Sequence, residues 1–270
     1  MYEDIIRVEN ELLKKSGEEY KDFIPTVWST LKEKEVEDYL DLLKESPDFM
    51  VETIVKALPK TAEYIQICDP EEDLLIVKDS LPVLLKKLEK YGIEKFVDEI
   101  KDLKISDKLV DKFPEMMREI DSALQKTDPA VLNSYGKTYK GLILDSIIPF
   151  MNRATPSLVK LHRDIEGSFD KLNKVKLNIG IDLKDMDLQL KEKIDKGTII
   201  MEEGLENTDV RVTISTEAIL EIISVLLSGS KWKMTRYILS GAIPVEGSTV
   251  KALNLIPFAL KLSKLMSYID

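Results

Sequence analysis

Through the first 165 positions the apolar residues recur at helical spacing. Val51, Ile54, Val55, Leu58, Ala62 and Ile65 trace one face, and Leu109, Phe113, Met116, Met117, Ile120 and Leu124 trace another. Shorter faces are Val36, Tyr39, Leu40 and Leu43, then Ile93, Phe96, Val97 and Ile100. Prolines punctuate the pattern. Ser46-Pro47, Asp69-Pro70, Asp128-Pro129 and Thr155-Pro156 each set a capping side chain before a proline, which predicts four helix starts. Glu71, Glu72 and Asp73 follow Pro70, where a helix dipole favours acids. Pro59, Pro82, Pro114 and Pro149 each follow an apolar residue at irregular spacing, which fits helix boundaries or kinks rather than a repeat.

Near residue 170 the period changes to two. Leu177, Ile179, Ile181 and Leu183 alternate with polar residues or glycine, as do Leu188, Leu190 and Ile194, and then Val210, Val212 and Ile214. Turns fit at Lys184-Asp185, Asp195-Lys196-Gly197 and Gly204 through Asp209, and the short connections predict an antiparallel meander. Thr216-Glu217 opens a helix carrying Ile219, Leu220, Ile222, Ile223 and Leu226. Gly241 through Gly247 reads as a final strand, with Pro244 suited to an edge. Ser248 or Thr249 then caps a last helix that Pro257 kinks. The expected class is α+β, with a helical domain over 1–165 and a mixed domain over 166–270, or one α+β unit with a helical cap.

Composition narrows the function. A net charge of -10 over 270 residues, with no long Lys/Arg run, argues against a nucleic-acid partner. Cys68 is the only cysteine, so no intrachain disulfide forms and a reducing compartment is expected. The acidic start Met1-Tyr2-Glu3-Asp4 is unlike a signal peptide, and no stretch nears the roughly 18 apolar residues of a membrane span. The expected location is cytoplasmic, with contact at a membrane surface left open.

Two blocks carry a likeness to a known family. Thr208 through Leu220 (TDVRVTISTEAIL) resembles the strand-to-helix passage of sterol-carrier-protein type 2 domains. Ser240 through Gly247 (SGAIPVEG) resembles the family's short glycine-bounded strand before its C-terminal helix, and Lys193 through Gly197 fits the order of its sheet. The likeness covers about residues 155–270. It implies a mainly antiparallel five-stranded sheet covered by helices, an apolar tunnel between them for an acyl or isoprenoid chain, and a carrier role. Two departures stand out. Ser267-Tyr268-Ile269-Asp270 is unlike the peroxisomal address of many relatives, and Pro244 and Pro257 interrupt elements that line the tunnel in the family.

Motifs for chemistry are lacking. His162, the one histidine, sits between charged neighbours with no nucleophile marked nearby, and Cys68 beside Ile65 and Ile67 reads as a small buried apolar residue. One Cys and one His build no structural zinc site. Asp182, Asp185 and Asp187 lack the glycine and terminal glutamate of a calcium loop, so they read as a solvated turn. Gly241 through Thr249 lacks the lysine of a phosphate loop, although the helix start at Thr249 offers free N–H groups to an anion. The expectation is therefore a non-enzyme with no cofactor and no metal.

The last helix is apolar on more than one face, which suits plain core packing, a domain or dimer interface, or a ligand tunnel. Two functions follow. The first is a lipid-binding or lipid-transfer protein whose chain is lined by Ile219, Ile223, Leu226, Trp232, Ile243, Leu253, Ile256 and Leu260. The second is an interaction or assembly module, such as a homodimer or scaffold, with no open tunnel.

Overall fold

The computed structural model describes residues 2–101, 103, 105–158, 175–218, 221 and 244–248. By its internal contacts the chain divides into two units, Met1–Val131 and Leu132–Asp270. That division falls ahead of the change of period near residue 170, because a helical segment belongs by contact to the second unit.

The described part of the first unit is helical: α1 (Glu3–Leu12), α2 (Gly17–Glu33), α3 (Val36–Glu45), α4 (Pro47–Ile67), α5 (Pro70–Tyr91), α6 (Ile93–Lys101) and α7 (Ile105–Lys126). Three of the four expected proline starts hold, at Pro47, Pro70 and Pro129, the last opening α8 (Pro129–Leu142). Asp69 and Asp128 cap as expected, each carboxylate accepting a backbone N–H at 2.8 Å, from Glu71 and Ala130. Ser46 makes no side-chain cap. Glu35 and Asp38 form a reciprocal capping box at the start of α3.

The fourth start is corrected. Pro156 lies inside α9 (Ile148–Leu158), and the Thr155 hydroxyl donates back to the Met151 carbonyl at 2.7 Å instead of capping. Pro59, Pro82 and Pro114 also lie within helices, as does Pro25. Packing of amphipathic faces outweighs the hydrogen bond each proline removes. Pro149 follows a π-helical turn, Ile143–Ile147, that joins α8 to α9. Such a turn absorbs the register change near a residue with no N–H to donate.

The first unit closes around Val8, Leu12, Tyr20, Val27, Tyr64 and Cys68, with Phe23, Ile24 and Leu31 packed on them. Cys68 is a free, buried thiol, as its apolar neighbours predict. The Tyr64 hydroxyl donates to the buried Asp73 carboxylate, so the one buried acid in the first turn of α5 has a partner. Lys87 of α5 reaches the Lys32 and Lys34 carbonyls at 2.9 and 2.7 Å, satisfying the end of α2.

The second unit holds a five-stranded sheet: β1 (Lys176–Leu183), β2 (Leu188–Asp195), β3 (Thr198–Glu203), β4 (Val210–Ile214) and β5 (Val245–Gly247). Its order is β3-β2-β1-β4-β5. The α+β class and the mainly antiparallel five-stranded sheet stand as expected. The simple meander does not. β4 pairs with β1, and in parallel, placing Ile179 beside Val210 and Leu183 beside Ile214.

The chain therefore leaves β3 at one edge and crosses β2 and β1 in the six residues Gly204 to Asp209. Parallel strands are usually joined by a longer crossover, often a helix. Here the short route works because Gly180 of β1 is bare. A Cβ there would stand 3.0 Å from Thr208 Cγ2 and 3.1 Å from Leu205 Cδ2. The connection is tied down where Asp209 N–H donates to the Asn178 carbonyl at 2.8 Å and Asn178 N–H to the Asp209 carboxylate at 3.0 Å. Gly247 ends β5 at φ 103°, against the Asp209 carbonyl where a Cβ would collide. The glycine that bounds this strand is thus required twice over, by conformation and by space.

Candidate functional site

Strand register sorts the sheet into two unlike faces. On one, Leu177 stands beside Ile194 and Ile199; Ile179 beside Glu192, Met201 and Val210; Ile181 beside Leu190, Glu203, Val212 and Val245; and Leu183 beside Leu188 and Ile214. This face is apolar except for two glutamates. The opposite face carries ion pairs. Glu202 takes Lys193 at 2.6 Å and Lys191 at 3.4 Å, Lys176 meets Asp195 at 3.7 Å, and Gln189 donates to Asp182 at 3.4 Å. The hydrogen bond from Lys193, ahead of its other contacts, holds the Glu202 carboxyl below the ordinary range.

Burial along the apolar face is uneven. At one end Leu177 is 1% exposed, Ile194 3% and Val210 4%, a closed core with Val175. Further along, Ile179, Ile181 and Leu183 of the central strand are only half-buried, as are Leu190, Met201, Val212 and Ile214. Glu192 stands in this second stretch, between Ile179 and Met201. Burial alone pushes its carboxyl above the ordinary value, and it makes no hydrogen bond or ion pair among the described residues. The sequence pattern holds its trace. In Leu188, Leu190 and Ile194 the alternation skips position 192.

Two neighbouring features frame the sheet. At the edge, the Asn152 amide of α9 donates to the Met201 carbonyl at 2.7 Å and accepts its N–H at 2.8 Å. One side chain thus satisfies both outward backbone groups of Met201 and blunts the edge there. Beside it lies a groove of about 410 Å³ lined by Asp145, Ile148, Arg153 and residues Met201 to Glu203, next to the π-helical turn. At the β1–β2 turn, one face of α8 docks. Asn133 accepts from the Thr216 hydroxyl, Gly136 lies against Met186, and Lys140 pairs with Asp187 at 3.0 Å.

The three aspartates of that turn are separately engaged. Asp185 accepts the Thr216 N–H at 2.8 Å at the start of the helix after β4, Asp187 takes Lys140, and Asp182 takes Gln189. Among the described residues no cluster of His, Cys, Asp and Glu could hold a metal ion. The Asp185–Thr216 contact joins residues far apart in the chain and left no sequence signal. The Ser215 hydroxyl also accepts the Ala218 N–H at 3.1 Å, so the expected helix start after β4 is capped there.

The eight residues expected to line a tunnel, Ile219, Ile223, Leu226, Trp232, Ile243, Leu253, Ile256 and Leu260, all lie outside the described residues. So do His162, Thr249 and the last helix with Pro257. What the structure supplies is the sheet face such residues would have to cover. Among the described residues no helix is long and apolar enough to cross a membrane.

The chain is similar to a solved structure described as a UbiJ-SCP2 ubiquinone synthesis protein, with 15% identity and a TM-score of 0.33, over 47% of this chain and 94% of that one. It is also similar to the stereoselective inverting sec-alkylsulfatase Pisa1 from Pseudomonas sp., with 13% identity and a TM-score of 0.28, over 77% of this chain and 32% of that one. A double mutant of that alkylsulfatase gives 14% identity and a TM-score of 0.24, over 80% and 32%. The chain thus spans about a third of either alkylsulfatase chain. No protein-family model and no curated protein matches it.

Proposed function

We propose that the second unit is a lipid-binding or lipid-transfer module that holds a long acyl or isoprenoid chain against the apolar face of its sheet. The observation that carries this reading is the half-burial of Ile179, Ile181 and Leu183 on the central strand, beside a fully closed end at Leu177. Central strands of a packed core normally bury such side chains completely. Each methylene laid on that face gains about 0.8 kcal/mol, so a long chain binds without a sharp polar motif. The eight expected liners would form the opposite wall. The reading is of a carrier without chemistry of its own, with no cofactor. The helical unit would cap the ligand, dimerise or dock at a membrane surface.

Native mass spectrometry of the freshly purified chain, followed by organic extraction, tests this. The expected result is a co-purified apolar chain that is lost when Leu253 and Leu260 are replaced by charged residues. A clean apo mass with no uptake of fluorescent acyl probes would favour the assembly module instead.

A further inference from the structure

The apolar face carries an acid where packing alone would place an aliphatic residue. Among the described residues of that face, the charged side chains are Glu192 and Glu203, and neither a lysine nor an arginine shares it. Glu203 is exposed at the sheet edge, beside the groove next to α9. Glu192 is different. It sits on the second strand of the sheet with apolar neighbours on both sides. The pair Glu192–Met201 faces away from the ladder hydrogen bonds, since the Met201 N–H and carbonyl are taken by Asn152 on the outer side. Side chains of such a pair lie close together, so Glu192 projects from the sheet beside Met201, with Ile179 opposite it on the central strand.

A half-buried acid with no hydrogen-bond or ion-pair partner among the described residues is costly, and a purely structural sheet face has no use for one. It acquires a use when a ligand brings a hydrogen-bond donor to it. We infer that Glu192 receives the head of the bound chain, and that the ligand class is an apolar chain ending in a hydroxyl or ammonium group rather than in a carboxylate. This rests on the carrier reading and names its specificity. A donor head would complete the hydrogen bonding of Glu192 while its tail lay over Ile181, Leu190 and Val212 in the neighbouring row. A fatty-acid anion would instead face two carboxylates on a sheet face whose described strand residues include no cation, Arg153 lying off the face in the edge groove beside Glu203.

The test is displacement of Nile red from the full chain by hexadecanol, hexadecylamine and palmitate, which share one tail length. Wild type is expected to take hexadecanol or hexadecylamine at least about tenfold more tightly than palmitate, the scale of one charge-assisted hydrogen bond. Preference for the amine alone would assign an ionic head, and equal preference for alcohol and amine a donor of either charge. Glu192→Gln keeps the shape and removes the charge, and should tighten palmitate and weaken hexadecylamine, each by about tenfold. Glu192→Leu should bring all three within about threefold, and serves if the Gln variant folds poorly. Palmitate bound as tightly as the other two in wild type, or a preference unmoved by both variants, would overturn the head-group assignment while leaving the carrier standing. A wild type that takes up neither Nile red nor any of the three would overturn the carrier itself.

Discussion

The two faces of the sheet are made by the same strands, yet they are held by different physics. On the polar face, charges are paired across strands, and the partly exposed Lys193–Glu202 pair contributes little. On the apolar face, one end is sealed at Leu177, Ile194 and Val210, while the centre is half-covered and harbours Glu192. Stability is concentrated at the sealed end, and the proposed binding at the half-covered one. The sealed end anchors the sheet, and the half-covered stretch is where the proposed ligand would lie.

Substitutions should break that comparison in a definite order. The largest loss is expected from Leu177→Ala, about 3 kcal/mol by urea denaturation, because a fully enclosed leucine leaves a cavity that closed walls cannot refill. Ile181→Ala in the half-covered stretch should cost clearly less, and equal losses would remove the distinction between the two ends. Gly180→Val should cost about 2 kcal/mol by forcing the crossover at Leu205 and Thr208 off the sheet. Asn152→Ala should cost about 1 kcal/mol and speed amide exchange at Met201, read by hydrogen exchange, since two edge groups lose their partner. Lys193→Ala, on the paired face, should leave the unfolding midpoint within error.

Acidity supplies a further contrast. Glu192 has its folded pKa raised by burial, so the folded state binds more protons than the unfolded one between the ordinary glutamate value and the raised one. Stability should therefore fall as pH rises through that window, and Glu192→Gln should remove that part of the fall. The helical unit offers a second instance in Glu9, pushed up to about 7 by burial, with a Thr53 hydrogen bond opposing. Glu9→Gln should flatten the decline between its ordinary 4.5 and about 7, as read from denaturation at stepped pH.

Much of this architecture was legible in the chain. Period-two alternation placed β1, β2 and β4, and Asp-Pro pairs placed the starts of α5 and α8, because both signals are local. Thr155-Pro156 misled because the same pair is tolerated inside a helix when the hydroxyl turns back to bond the preceding turn. The parallel partnership of β1 and β4 was hidden for a different reason. Local alternation says which face a side chain takes, and nothing of which strand lies beside it. Its clue was Gly180, whose missing side chain has meaning only once Leu205 and Thr208 cross above it. Glu192 was visible as a break in alternation, but its isolation came from register with Ile179 and Met201. The expected tunnel liners fall outside the described residues.

On the proposal above, the half-covered stretch of the apolar face, and not the paired face, takes up an apolar chain. Nile red uptake by the full chain, compared across wild type, Ile181→Trp and Lys193→Ala of confirmed fold, tests it most directly. Saturable uptake is expected for wild type and Lys193→Ala, and its loss for Ile181→Trp, where an indole fills the half-covered stretch. Equal uptake by all three, or none by wild type, would contradict it.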